Sequence, residues 1–134
     1  MNMNKFYLLG FFLVLMASGT WAVCDVYIGQ TDIPAILTTP GITYCLTQNI
    51  THGPTDSSDP TRWAIILNSA SSSATLDCQG YSITATNQFS NIGDTLLSRA
   101  GGATIKNCVV IGTLQIAANS NQVLNDTVLG WTSG

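Results

Sequence analysis

Two segments near the C-terminus repeat one another without a gap, and this repeat constrains the fold more than any other feature. ATIKNCVVIGT (103–113) is followed by the similar QVLNDTVLGWT (122–132) at an offset of 18 residues, and both resemble the earlier ATLDCQGYSIT (74–84). The matched positions of the last two copies are Ile105 and Val123, Asn107 and Asn125, Val110 and Val128, and Gly112 and Gly130. A unit this short cannot bury its apolar face alone, so the repeats must stack on one another.

Each copy follows a shorter apolar run, so one unit reads strand, polar turn, strand, corner and strand. The shorter runs are 64–68, 95–98 and 114–118. Parallel stacking places matched positions about 4.8 Å apart. It therefore predicts an apolar column of Leu76, Ile105 and Val123. It also predicts a ladder at a corner, where Asn107 and Asn125 satisfy each other's amides.

Parallel stacking has an antiparallel alternative, a disulfide-linked β-sandwich with turn signals every 8–12 residues. The gapless repeat favours the parallel solenoid over the sandwich. The same stacking sets Asp77 opposite Lys106 on the outside of the protein. An exposed ion pair of this kind contributes at most about 1 kcal/mol.

The composition independently indicates an all-β protein with one domain. Of 134 residues, 46% are hydrophobic and 8% are charged, and glutamate is missing. The polar residues are instead 17 Thr, 12 Ser and 10 Asn, joined by 12 Gly, which favour strands and turns over helices. The formal net charge of −3 argues against a nucleic-acid partner, which needs clustered Lys and Arg.

The first 22 residues have the order of a secretory signal peptide. Residues 1–5 are polar with one positive charge, residues 6–17 are apolar, and small residues precede Ala22. The apolar run is shorter than the roughly 20 residues of a membrane span. We expect cleavage after Ala22, with Gly19 as the alternative, and no membrane span in the mature chain. The protein is therefore expected to be secreted, to the periplasm, the cell surface or the medium.

The repeats resemble those of right-handed parallel β-helix proteins of the pectin-lyase-like superfamily. The resemblance rests on LDCQGYSIT (76–84), ATIKNCVVIG (103–112) and NQVLNDTV (121–128), with PGITYCLTQNI (40–50) as a lead-in. It implies a three-sided coil of parallel strands. The expected organisation is a signal peptide (1–22), an N-terminal cap with lead-in strands (23–62) and the β-helix rungs (63–134). It also makes an N-terminal fragment of a longer helix conceivable.

The superfamily contains lyases, hydrolases, epimerases and adhesins, so the fold alone does not assign an activity. Its lyases hold Ca²⁺ on stacked aspartates beside an Arg, and its polygalacturonases combine aspartates with His-Gly and Arg-x-Lys elements. The seven aspartates here are dispersed, and His52-Gly53 lacks the flanking pattern. We therefore expect His52 to be a surface-loop histidine, and we predict no catalytic residue, metal or cofactor.

The four cysteines are expected to form disulfides, because export exposes them to an oxidising compartment. Their spacing is not that of a metal site. Three pairings are possible. We favour Cys24 with Cys45, clasping the cap, and Cys78 with Cys108, stapling two rungs. Free stacked thiols are the alternative for the second pair, since Cys78 aligns with the residue before Cys108.

Two further sets of side chains are candidate sites. Asn49 and Asn125 each begin an Asn-x-Thr glycosylation sequon. In a host and compartment that attach N-linked glycans, we expect Asn49 to be the acceptor, because burial in the ladder would block Asn125; chance occurrence in an Asn- and Thr-rich chain is the alternative. The aromatic residues Trp63, Tyr81 and Trp131 are candidates for stacking on sugar rings, although shielding of the core is the more ordinary use of such side chains.

The sequence thus favours a secreted or cell-surface β-helix module with a structural, adhesive or glycan-contacting role and no catalytic site of its own. The alternative is the N-terminal part of a polysaccharide lyase or glycoside hydrolase whose catalytic rungs lie beyond residue 134. A third possibility is a small disulfide-stapled domain that binds a protein. The expected partners are a polysaccharide, or a protein that adds a strand to the open C-terminal rung.

Overall fold

The described part of the protein is built from short β-strands, with two single-turn 3₁₀ helices (Gln30–Asp32 and Ser69–Ser71) between them. A computed structural model describes residues 23–53, 62–86 and 94–133. The strands of these residues are β1 (Val26–Ile28), β2 (Ala35–Leu37), β3 (Thr43–Leu46), β4 (Ile50–His52), β5 (Ile65–Leu67), β6 (Thr75–Asp77), β7 (Ser82–Ala85), β8 (Asp94–Ser98), β9 (Thr104–Lys106), β10 (Val109–Ile116), β11 (Gln122–Leu124) and β12 (Thr127–Ser133).

The described strands form two sheets in which each paired strand runs parallel to its neighbour. Sheet A has the order β1-β3-β6-β9-β11. Sheet B has the order β2-β5-β8-β10-β7-β4, with β12 also paired to β10. The chain leaves sheet A, passes through sheet B and returns beside the sheet A strand that it left. This all-β, parallel arrangement is consistent with a β-helix-like fold, and the antiparallel sandwich is wrong for the described residues.

The pairing confirms the register of the internal repeat. Strand β11 pairs with β9 so that Val123 lies beside Ile105. Strand β12 pairs with β10 so that Val128 lies beside Val110. Both pairings keep the offset of 18 residues between the last two copies. The repeat in the sequence therefore corresponds to stacked strands.

The predicted cap and the predicted rungs share the same sheets. Strands β1 to β4 lie in the segment 23–62, and they pair directly with β3, β5, β6 and β7. The boundary between residues 62 and 63 stays a prediction. Residues 1–22, which the sequence assigns to a signal peptide, lie outside the described residues. No helix among the described residues has the length and apolar character needed to cross a bilayer.

The core is made of aliphatic columns that run through the sheets. Leu76 and Ile105 are neighbours in sheet A, and both are fully buried. Ile50, Ile83 and Val110 form an equivalent buried column in sheet B. Alternate residues of a strand point to opposite faces, so a three-residue strand places either its central residue or its two outer residues in the core. Each added strand therefore buries the apolar residues of the strand before it.

Backbone conformation explains why Asn recurs at the corners and why Gly recurs within strands β10 and β12. Asn107 and Asn125 both have a φ of 56°, a left-handed conformation that Asn tolerates better than most residues. Gly130 has a φ of 155°, and a Cβ at this position would collide with the carbonyl oxygen of Gly112 in the neighbouring strand. Only glycine fits there without a backbone shift.

The column in sheet A provides a test of the stacking. We expect Leu76→Ala to lower the free energy of unfolding by about 2–5 kcal/mol, because it leaves a cavity in a fully buried position. Val123→Ala in the same column should cost less than about 1 kcal/mol, because Val123 is 44% exposed. Urea denaturation of the two variants measures the difference. An equal loss of unfolding free energy in the two variants would contradict the assignment of Leu76 to a fully buried column position.

Candidate functional site

Asp77 is the centre of a polar cluster at the corner that follows strand β6. Its Oδ1 accepts hydrogen bonds from the Asn107 Nδ2 at 2.9 Å and from the backbone N–H of Gln79 at 2.9 Å. Its Oδ2 lies 3.3 Å from the Nζ of Lys106. Both carboxylate oxygens are thus used by groups from the same corner and the neighbouring strand.

The ion pair between Asp77 and Lys106 is present, but its predicted location on the outside is wrong. The Asp77 side chain is only 4% exposed, whereas that of Lys106 is 30% exposed. The carboxylate therefore lies below the surface and is reached from outside by the lysine. Removing Lys106 should cost more than an exposed pair contributes, because the Asp77 charge below the surface would lose its counter-charge.

The predicted asparagine ladder continues this cluster toward the C-terminus. Asn125 donates from Nδ2 to the Oδ1 of Asn107 at 2.8 Å, and Asn107 donates in turn to Asp77. Each amide thus points toward the preceding rung. Burial of Asn125, which we expected, does not occur: the residue is exposed because it lies on the last described rung.

Asp126 occupies the next position and is less well satisfied than Asp77. Its Oδ1 accepts the backbone N–H of Cys108 at 2.6 Å. Its Oδ2 is buried, and no hydrogen-bond partner for it lies within the described part of the chain. In the sequence, Asp126 is recognisable only as the middle residue of a sequon. Its local pattern does not indicate a buried carboxylate.

The pKa values of Asp77 and Asp126 are shifted in opposite directions. Burial alone would raise the pKa of Asp77, but hydrogen bonds from Asn107 and Gln79 and the nearby Lys106 outweigh burial and hold this pKa below its ordinary value. Burial raises the pKa of Asp126, and the Asp77 charge raises it further, against the opposing effect of the Cys108 N–H. The two pKa values move in opposite directions because Asp77 receives more stabilising hydrogen bonds than Asp126 does.

Both disulfides join the cysteines that the sequence analysis favoured. Cys24 bonds to Cys45 across a Cα–Cα distance of 5.7 Å, and Cys78 bonds to Cys108 across 4.8 Å. The first ties the segment ahead of β1 to strand β3. The second joins the corners that follow β6 and β9. No thiol is free among the described cysteines.

The C-terminal edge, formed by strands β11 and β12, exposes apolar side chains. Val123 is 44% exposed although its column partner Ile105 is fully buried. Leu124 and Leu129 are also exposed. The segment 117–133 carries one charged residue, Asp126. Proteins usually protect edge strands with charged side chains, and β11 and β12 contain no such residue.

The N-terminal end is closed on the face formed by β4. Gln30 lies in the 3₁₀ turn after β1, and its Oε1 accepts the Thr51 N–H at 2.7 Å. Its Nε2 donates to the Thr51 carbonyl at 2.8 Å. One side-chain amide thus makes both hydrogen bonds that a further strand would make. No local sequence pattern indicates this role, because the side chain of Gln30 acts on a strand that lies 21 residues further along the chain.

The aromatic candidates for sugar stacking are not brought together as a platform. Trp63 is only 4% exposed and carries the Arg62 guanidinium at 5.7 Å from its ring centroid, so its ring is used for packing. Tyr81 is 36% exposed. The side chain of Trp131 lies outside what the structure describes. Burial of the Trp63 ring favours shielding of the core over stacking on sugar, and sugar stacking by these residues stays a prediction.

The remaining candidates stay separate from the corner cluster. His52 ends strand β4 and is partly exposed, and its carbonyl accepts the Thr86 N–H at 2.8 Å. Asn49 is exposed, and its Oδ1 accepts the Ser82 N–H at 3.0 Å. Within 23–53, 62–86 and 94–133, no group of three His, Cys or acidic side chains is arranged to hold a metal ion.

Comparison with known proteins adds no family to these observations. No family model, curated protein or solved structure matches the chain. The class defined by the described residues is an all-β protein with parallel sheets, two disulfides and an apolar C-terminal edge.

The two corner carboxyl groups predict opposite effects of substitution. Asp77→Asn should lower the free energy of unfolding at neutral pH by about 1.5–3 kcal/mol, because charge-assisted hydrogen bonds to a buried acceptor are lost. Asp126→Asn should raise the free energy of unfolding at neutral pH, because it removes a desolvated charge and keeps the acceptor for Cys108. Thermal and urea unfolding at neutral pH measure both.

The pH dependence follows from the directions of the pKa shifts. The stability that Asp77 contributes is present above its unfolded-state pKa and is lost as the pH falls through its lower folded-state pKa. The stability that protonated Asp126 contributes is fully present below its unfolded-state pKa. It is lost as the pH rises through the raised folded-state pKa. Both variants should therefore approach the parent protein in acid, and a difference that does not change with pH would contradict the assignment.

Proposed function

We propose that the protein is an exported, right-handed parallel β-helix module that acts by contact with a partner and has a structural or adhesive role. The C-terminal edge carries this proposal, because it exposes Val123 at the end of a column whose inner members Leu76 and Ile105 are fully buried, on strands without a charged residue. The partner is a protein segment that adds a parallel strand to β11 or β12. This mode of binding uses main-chain hydrogen bonds for affinity and side-chain contacts for specificity.

Three observations support the coil and its handedness. Sheet A contains one strand from each successive pass of the chain, in sequence order. Neighbouring passes are parallel throughout the described pairings, from β1 with β3 to β11 with β9. Crossover connections between parallel strands of one sheet are right-handed in about 98% of cases. A right-handed coil is therefore the arrangement that we propose.

Export is supported by the cysteine chemistry. Both described disulfides tie separate passes of the chain together, and such bonds persist in oxidising compartments. The signal-peptide pattern of residues 1–22 supports the same route. A glycan-contacting role has less support than a protein contact, because Trp63 is buried and the C-terminal edge is apolar.

The alternative is that the chain is the N-terminal part of a polysaccharide lyase or glycoside hydrolase. The observation that favours it is again the C-terminal edge, since further rungs of a longer coil would stack on β11 and β12. Such rungs would cover Val123 in the same way that Val123 covers Ile105. The two proposals thus use one edge but require different occupants.

The contact proposal is tested by placing a charge in the edge. We expect Val123→Asp to reduce retention of the exported protein on the producing cells by about tenfold, equivalent to about 1.4 kcal/mol, because a charge opposes strand addition. Val26→Asp is the matched control: Val26 is in the same column, at the N-terminal end, and is 40% exposed. Cell-bound and released protein are measured by immunoblot.

Equal retention of the parent protein and Val123→Asp would overturn the contact proposal, as would equal loss in Val26→Asp. A separate assay addresses the enzyme alternative. Protein isolated from its natural source, so that any rungs beyond residue 134 are included, is incubated with polygalacturonate and Ca²⁺, and unsaturated products are followed by ultraviolet absorbance. Product formation that is abolished by chelation would replace the contact proposal with the lyase.

A further inference from the structure

The two glycosylation sequons occupy equivalent corners but use their amides differently. Asn49 precedes strand β4, and Asn125 lies between β11 and β12. Both therefore stand where the chain leaves sheet A for sheet B. The sequence pattern alone treats the two as equal acceptors, apart from an expected burial of Asn125 that does not occur.

The amide nitrogen of Asn125 is engaged in the ladder. An N-linked glycan is attached to Nδ2, and in Asn125 this atom donates to the Oδ1 of Asn107 at 2.8 Å. A sugar on this nitrogen would compete with the contact between the two rungs. A glycan attached to Asn125 before folding would therefore cost the completed fold the hydrogen bond that continues the ladder.

The amide of Asn49 uses its oxygen rather than its nitrogen to contact the neighbouring strand. Its Oδ1 accepts the Ser82 N–H at 3.0 Å, so the oxygen faces the neighbouring strand. The residue is exposed, and no acceptor for its Nδ2 is found among the described residues. A glycan on Nδ2 keeps the oxygen free to accept this hydrogen bond.

We propose that Asn49 is an N-glycosylation site of the exported protein, an inference that rests on the proposed export. The donor is a lipid-linked oligosaccharide. A bond forms between the Asn49 Nδ2 and the anomeric carbon of the sugar, the bond from that carbon to the lipid pyrophosphate breaks, and the amide loses one proton. The host glycosyltransferase catalyses this exchange.

The folded surroundings of Asn49 also set when the transfer occurs. Ile50 is fully buried, and the Thr51 N–H and carbonyl are both bonded to Gln30. The acceptor sequon must be accessible to the transferase in an extended form, so attachment precedes pairing of β4. The completed fold then carries the glycan on the outside of the corner.

The test compares variants secreted by a eukaryotic cell line that attaches N-linked glycans. The full chain is purified from the medium and its intact mass is measured before and after treatment with a peptide N-glycosidase. We expect one glycan, whose removal converts Asn49 to aspartate. Asn49→Asp should lose the glycan while keeping an oxygen for Ser82, and Thr51→Ala should also lose it.

Two control variants test whether the glycan depends on the Asn49 sequon alone. Thr51→Ser retains a sequon and should keep the glycan, and Thr127→Ala removes only the second sequon and should not change the mass of the glycan. Secreted protein without a glycan on Asn49, or with its glycan on Asn125, would overturn the inference while leaving export intact. Protein retained in the cells with residues 1–22 attached would overturn export and the site together.

Discussion

In-register packing of aliphatic side chains between parallel strands is the interaction on which the rest of the protein depends. Strands β6, β9 and β11 have three residues each, and strands this short are not stable alone. Stacking converts one apolar residue from each strand into a continuous column, as Leu76 and Ile105 do. A slip of one residue would turn every column to the solvent face, so the corners must hold the register.

The corners hold the register with directional polar bonds. The amide of Asn125 donates to Asn107, and Asn107 donates to Asp77, whose charge is also met by Lys106. This chain of hydrogen bonds thus ends on the Asp77 carboxylate, which can accept several hydrogen bonds. Asp126 follows the last amide and has only the Cys108 N–H to offset its burial. The corner therefore combines one well-compensated carboxyl group with one that is poorly compensated.

Much of the fold could be predicted because matched residues recur at a constant offset. The offset of 18 residues fixed the pairing of Ile105 with Val123 and the contact between the two asparagines. The position of Cys78 was harder to predict. Two residues, 107–108, connect β9 to β10, whereas four, 78–81, connect β6 to β7. This longer corner lets Cys78 meet Cys108, although the alignment placed them one residue apart.

Burial was less predictable than pairing, because it depends on what covers a side chain from above. Asp77 was expected outside and lies beneath Lys106, whereas Trp63 is packed, in the way that core shielding rather than sugar stacking requires. Gln30 acts through a distant strand, which no local pattern indicates.

The Gln30 cap makes the two ends of the stacked strands unequal, and this inequality restricts how copies of the protein could join. An open-ended fibre needs two complementary edges on each copy, so that every subunit passes an edge on to the next. The β4 edge already has its outer hydrogen bonds filled by the Gln30 side chain and cannot receive a strand there. Strands β1 and β2 are also outermost in their sheets at this end, and the Gln30 hydrogen bonds do not involve them. A second copy could therefore pair at β1 and β2 but not at β4, so Gln30 reduces, without removing, the strand pairing open to end-to-end growth.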